Sequence, residues 1–171
     1  RLAKVEKQDI HGGSLRYYIE RKNRDTSDGS VEQVMGEEEK TGLYNLGAYF
    51  GLRRQFEGVK SNLSTLLTEL KSFDKKISGF GASAKGNILL NSCGIDSRTI
   101  DNIFDDTPEK QGKFYPGVHI PIISRDTLLE KMPDYLILLS WNFSKEMIEK
   151  TKAYQEKGGK YIIPIPNLKI I

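Results

Sequence analysis

Ser78-Gly79-Phe80-Gly81-Ala82-Ser83-Ala84-Lys85-Gly86-Asn87 is a glycine-rich turn set between an apolar run and a stretch with helical spacing. Gly79-x-Gly81-x-x-Ala84 fits the dinucleotide fingerprint, in which glycines let the backbone turn tightly and bring bare N–H groups against a phosphate. The pattern alone is weak, and its context strengthens it. A strand pattern precedes it, a helix pattern follows, and Asp105-Asp106 stands roughly 20 residues beyond Ala84, the interval at which such folds place a ribose-binding carboxylate. Lys85 falls in the first helical turn, where a cation opposes the helix dipole unless an anion sits there to use both charges. The plainer alternative is a tight turn beside an exposed lysine. Agreement between several levels of the sequence favours a turn that faces phosphate.

Downstream, strand and helix patterns alternate. The spacing predicts strands over 76–80, 100–104, 119–123, 135–139 and 161–165, and helices over 84–93, 127–132 and 144–157, the last closed by Gly158-Gly159. Such units predict an α/β fold over residues 75–171: a Rossmann-like, mostly parallel sheet with helices on both faces. Ligands of these sheets bind beyond the carboxyl ends of the strands, where strand order reverses. That directs attention to residues 81–87, 105–112 and 140–143.

Upstream, residues 2–10 and 14–20 read as a β-hairpin joined by His11-Gly12-Gly13, and two strands need a larger partner for stability. His11 reads as a polar strand-end residue ahead of a functional one. Residues 22–40 are polar without sustained apolar period and read as a linker. From 41 to 74, Leu43, Leu46, Phe50, Phe56, Val59, Leu63, Leu67, Leu70 and Phe73 fall at helical spacings, predicting a long amphipathic helix or helix pair on the order of 50 Å in length. Gly42, Gly47, Gly51 and Gly58 predict a kink or close backbone packing in its first half.

A chain of 171 residues, 37% hydrophobic, can build one true core and a small attachment. Its 26 basic and 23 acidic residues are interspersed, giving a net charge of +3 without the basic block that nucleic acid needs. No apolar run approaches the roughly 18 residues of a membrane span. Cys93 stands alone, which suits a reducing compartment and a cytoplasmic location, and reads as a small buried hydrophobe rather than a nucleophile. The first residue is Arg1, and we expect a fragment with part of the working protein upstream.

A string of spaced motifs carries a family likeness: residues 81–87, Leu90-Asn91-x-Cys93-Gly94-Ile95, Lys110-Gln111-Gly112, Pro116-Gly117-x-His119-Ile120-Pro121-Ile122, Pro133-Asp134-Tyr135, Trp141-Asn142-Phe143 and Pro164-Ile165-Pro166. Together they resemble the C-terminal domain of the sugar C-methyltransferases, which use S-adenosylmethionine on nucleotide-linked keto-deoxysugars. His11-Gly12-Gly13-Ser14-Leu15-Arg16 resembles the end of the methyltransferase module just upstream, so residues 1–21 would be its tail.

The resemblance implies a three-part enzyme: a zinc module, a domain binding S-adenosylmethionine, and this Rossmann-like partner closing over a nucleotide sugar. The intact enzyme would remove a proton next to a ketone and let the enolate attack the sulfonium methyl. Zinc, cofactor and acid–base apparatus would all belong to the upstream parts, so this piece is not expected to act alone. In this chain the resemblance assigns Gly81, Ala82, Lys85 and Gly86 to the turn facing the diphosphate or sugar. Asn87 would add an amide, with hydrogen bonding at the helix start as the alternative. Asp105 matches the family's strand-end aspartate, whereas Asp106 replaces a basic residue, which predicts a more negative field there. His119 could bond the sugar or a backbone carbonyl. Trp141 and Asn142 suit a sugar or base, or else the tryptophan caps the core. Lys110 and Gln111 read as solvated loop residues. Two other functions fit parts of the sequence: a nicotinamide-dependent oxidoreductase module, from the fingerprint and Asp105, and a non-catalytic interaction domain docking through the long helix.

Overall fold

The structure, a computed structural model, describes residues 1–21 and 26–171. The chain divides into two compact units, 1–56 and 57–171.

In the first unit, β1 (Leu2–Gln8) and β2 (Ser14–Ile19) form an antiparallel hairpin with Val5 opposite Tyr17. His11, Gly12 and Gly13 all adopt positive φ, so His11 serves to reverse the chain. Among the described residues the hairpin pairs with no third strand. Helix α1 (Ser30–Lys40) packs on β1 instead, and Ser30 Oγ accepts from the Val5 amide at 2.8 Å. The stretch read as a linker therefore carries a helix over its second half, while residues 22–25 lie outside the described residues. No residue of α1 is fully buried, and its apolar residues are confined to Val31, Val34 and Met35.

Helix α2 (Leu46–Ser72) is 27 residues long, about 40 Å. Its apolar stripe splits in two. Leu63, Leu67 and Leu70 are buried, whereas Leu46, Tyr49, Phe50 and Leu52 are exposed. The expected close backbone packing is not found, because a Cβ added at Gly47, Gly51 or Gly58 would meet nothing within 4 Å.

The second unit is built on a seven-stranded sheet. After α2 come β3 (Ile77–Phe80), α3 (Ala84–Cys93), β4 (Ile103–Asp105), β5 (Phe114–Tyr115), β6 (Ile120–Ser124), α4 (Leu128–Lys131), β7 (Tyr135–Leu138), α5 (Ser144–Lys150), α6 (Lys152–Glu156), β8 (Lys160–Ile163) and β9 (Lys169–Ile170). The spatial order is β5-β6-β4-β3-β7-β8-β9, parallel throughout except for antiparallel β5 and β9 at the edges. This is the α/β, mostly parallel sheet that the alternation predicts.

Strand residues alternate between two cores. Phe80, Phe104, Leu136 and Leu138 pack with Leu128 of α4, Met147 of α5 and Tyr154 of α6. Leu139 and Ile103 point to the opposite face, where Leu139 meets Gly86 of α3. The helix expected over 144–157 breaks at Thr151, a buried residue whose Oγ1 donates back to the Met147 carbonyl at 2.7 Å. Such a bond competes with the helical ladder. Tyr154 and Tyr161 meet edge to face at 5.4 Å, and the Tyr154 hydroxyl donates to the carbonyls of Pro133 and Lys160 at 3.0 and 3.1 Å. The buried aromatic pair thus satisfies its polar atoms while filling the core.

The topology decides where a ligand can sit. From β3 the chain moves to β4 on one side, and from β7, on the other side of β3, it moves away to β8. Strand order therefore reverses between the carboxyl ends of β3 and β7, the position at which open parallel sheets present a crevice.

Candidate substrate-binding clefts

Gly81 leaves β3 with φ +85°, and a Cβ there would lie 2.8 Å from Ser140 Oγ and 3.0 Å from Met147 Cε. Only glycine fits that combination of backbone angle and close approach. Two residues later Ser83 caps α3: its Oγ accepts from the Gly86 amide at 3.1 Å and donates to the Leu139 carbonyl at 2.9 Å. The Tyr115 hydroxyl donates to the Ser83 carbonyl. The turn after β3 is thereby tied to β7 on one side and to β5 on the other.

Asp105 is spent on holding this turn. It is 5% exposed, and its carboxylate accepts from the amides of Ala82 at 2.6 Å and Thr107 at 2.8 Å and from Lys110 Nζ at 3.3 Å. Lys110 Nζ also donates to the Ala82 carbonyl at 2.9 Å, and Gln111 Nε2 to the Asp105 carbonyl at 3.0 Å. Burial pushes the Asp105 carboxyl up, but the bonds from Thr107 and Ala82 and the Lys110 charge outweigh it and hold the group below its ordinary value. Two expectations change. Lys110 and Gln111 are not merely solvated loop residues, and Asp105 clamps the turn. Three donors reach its two oxygens in this way, and the residue also lines one of the clefts beside the turn.

Two open clefts flank the turn, each of about 300 Å³. The first lies at the switch point, between Gly81, Asp106, Thr107 and Ser140 at the strand ends and Phe143, Glu146, Met147 and Lys150 beyond them. The second lies on the other side, bounded by Ala82, Ser83, Ala84 and Asn87 of the turn and α3 and by Lys113, Phe114 and Pro116. Gly81 lines one and its neighbour Ala82 the other.

The more negative field expected at Asp106 is not what the structure holds. Arg125 Nε lies 2.5 Å from Asp106 Oδ1 and Lys150 Nζ 3.7 Å from its Oδ2, so two cations, one just after β6 and one at the end of α5, offset the carboxylate. Arg125 also donates to the Lys150 carbonyl at 3.1 Å. These residues escaped sequence reasoning. Arg125 was findable as the residue directly after a third parallel strand, whereas Glu146, Met147 and Lys150 reach the cleft only because α5 folds back across the end of β7.

The other candidate residues divide. Gly81 reaches the first cleft, and Ala82 and Asn87 the second. Gly86 is buried, where a Cβ would stand 2.6 Å from Leu139 Cβ; it sets helix-to-sheet spacing and cannot face a ligand. Lys85 is exposed on the first turn of α3 and lines neither cleft. His119 is exposed with φ +52°, its amide bonded to the Tyr115 carbonyl at 3.0 Å, and serves the turn into β6. Trp141 and Asn142 lie in a 3-10 turn after β7 that sends the next residue, Phe143, to the first cleft. Cys93 is half-buried, and burial raises its thiol, which fits the inert reading.

Comparison with known proteins agrees with this architecture. Residues 9–166 match the C-methyltransferase C-terminal domain family. The chain belongs to that family. It is also 33% identical over 172 aligned residues to the C-methyltransferase NovU of Streptomyces niveus, an alignment covering 100% of this chain and 41% of that relative. As a family member the chain is a C-methyltransferase C-terminal domain, and the resemblance drawn from its motifs is borne out. Among the described residues no group of three or more His, Cys, Asp or Glu side chains is placed to hold a metal ion. Among the same residues no helix is long and apolar enough to cross a membrane.

Proposed function

We propose that this domain receives the methyl acceptor of a C-methyltransferase, a nucleoside-diphosphate-linked keto-deoxysugar, at the carboxyl ends of β3, β4 and β7. The observation that carries the reading is the first cleft, which lies at the switch point and has two kinds of wall. Thr107, Ser140, Asp106 and Lys150 offer donors and acceptors for hydroxyl and carbonyl groups, while Phe80, Phe143 and Met147 offer apolar surface. A deoxysugar has the same division, polar where oxygens remain and apolar where they have been lost.

In the intact protein S-adenosylmethionine would supply the electrophilic methyl group, held by the upstream domain that belongs to this reading. The part of this chain is to hold the sugar so that the carbon beside its ketone faces the donor, and to keep water away. Asp106, held by Arg125 and Lys150, fixes one wall of that enclosure. A cytoplasmic setting, in which a lone reduced cysteine is ordinary, belongs to the same reading, as does an upstream methyltransferase domain of the same polypeptide.

Calorimetric titration tests it. The chain should bind thymidine or uridine diphosphate saturably and show no heat with NAD or S-adenosylmethionine. Saturable binding of NAD instead would return the site to the oxidoreductases.

A further inference from the structure

The second cleft differs in chemistry from the first, and the difference matches the two ends of a nucleotide sugar. On β5 the side chains alternate: Tyr115 is 3% exposed and anchored, while Phe114 is 62% exposed and lines the cleft. Single exposed apolar residues are ordinary. This one stands beside a cavity whose other walls include Pro116 and Ile122, with Lys113 adjacent. Asn87 lines the same cleft, and its side-chain carbonyl already accepts from Asn91 Nδ2. What Asn87 has left to offer is its N–H₂ pair, a donor suited to the ring carbonyls of a pyrimidine. Glu109, Lys110 and Lys113 form the charged side of the cleft, and opposite them a flat ring, aliphatic walls and an amide donor suit a base, since every base has a face that stacks on an aromatic side chain.

We propose that the second cleft takes the nucleobase, stacked on Phe114, with the sugar in the first cleft and the diphosphate crossing the turn between them at Gly81 and Ala82. The inference rests on the nucleotide-sugar reading above and deepens it by assigning one end of the ligand to each cleft. Phe114 and Asn87 then set which nucleotides are accepted, while the turn binds what all of them share.

The test compares thymidine diphosphate with inorganic pyrophosphate by calorimetry on the whole 171-residue chain. Phe114→Ala should weaken thymidine diphosphate about 10-fold, the scale of losing one base stack, and leave pyrophosphate unchanged. Phe114→Trp, which keeps a stacking face, should bind thymidine diphosphate within about twofold of the wild type. Wild-type affinity for thymidine diphosphate in Phe114→Ala overturns the assignment of the base while leaving the nucleotide-sugar reading intact. Equal losses for both ligands would show that the ring supports the turn rather than the base, and overturn it too. Failure of the wild type to bind thymidine diphosphate at all overturns both.

Discussion

Glycines in two parts of this chain look alike in the sequence and do opposite things. At Gly79 and Gly86, around the turn after β3, an added Cβ would stand 2.9 Å from Leu139 Cδ1 and 2.6 Å from Leu139 Cβ respectively. Both positions let backbone approach Leu139, the residue just after β7, and so seat β3 and α3 closely against the end of that strand. Along α2, a Cβ at Gly47, Gly51 or Gly58 would meet nothing within 4 Å. There the glycines only weaken a helix. The lesson is that glycine spacing marks a site when the surrounding strands put side chains against it, and spacing alone does not report whether they do.

The contrast can be broken by substitution, and the largest effect is expected at Gly86. Gly86→Ala forces its methyl into Leu139 and the Tyr115 hydroxyl, and should lower stability by about 3 kcal/mol, read by urea denaturation. A variant as stable as the wild type would remove the basis of the comparison. Next is Asp105→Asn, which leaves buried donors and a lysine poorly partnered and should cost about 2 kcal/mol at neutral pH. Its pH dependence has a definite sign. The folded carboxyl lies below its ordinary value of 3.8, so its stabilisation is present above that value and is lost as pH falls through 3.8 and then through the folded value. Acid unfolding of the wild type should therefore be steeper in that window than that of Asp105→Asn; parallel curves would contradict the clamp.

Smaller effects sharpen the picture. Arg125→Ala releases Asp106 and the last carbonyl of α5, and because the pair is partly exposed the loss should be near 1 kcal/mol and shrink in high salt. At the other end of the comparison, Gly58→Ala should stabilise the protein by about 0.5–1 kcal/mol, the helix-propensity gain with nothing to clash against. A destabilised Gly58→Ala would mean that this face of α2 is covered after all.

Much of this was legible in the sequence because local pattern and tertiary role coincide. Residues 84–93 read as a helix because Ser83 caps it and Gly94 ends it in the left-handed region, signals that lie next to one another in the chain. The buried strand β7 reads as a continuous apolar run for the same reason. Asp105 shows the limit: its position at a strand end was visible, but not that Ala82, Thr107 and Lys110 converge on it. Asp106 was read with the wrong local field because its partners Arg125 and Lys150 are distant in sequence. The helix at residues 30–40 was missed because its short apolar group, Val31, Val34 and Met35, stands in otherwise polar sequence, and the break at Thr151 because a threonine bonding back to Met147 leaves no mark in periodicity.

The central claim is that the ends of β3, β4 and β7, with the turn between the two clefts, form a nucleotide-sugar site, and the most direct measurement is a map of where the ligand lands. Thymidine diphosphate titrated into ¹⁵N-labelled protein should shift the amides of residues 81–87, 105–107 and 140–143 together, along one saturable curve. Shifts confined to residues outside those three segments, or none at concentrations that saturate other nucleotide-binding domains, would contradict it.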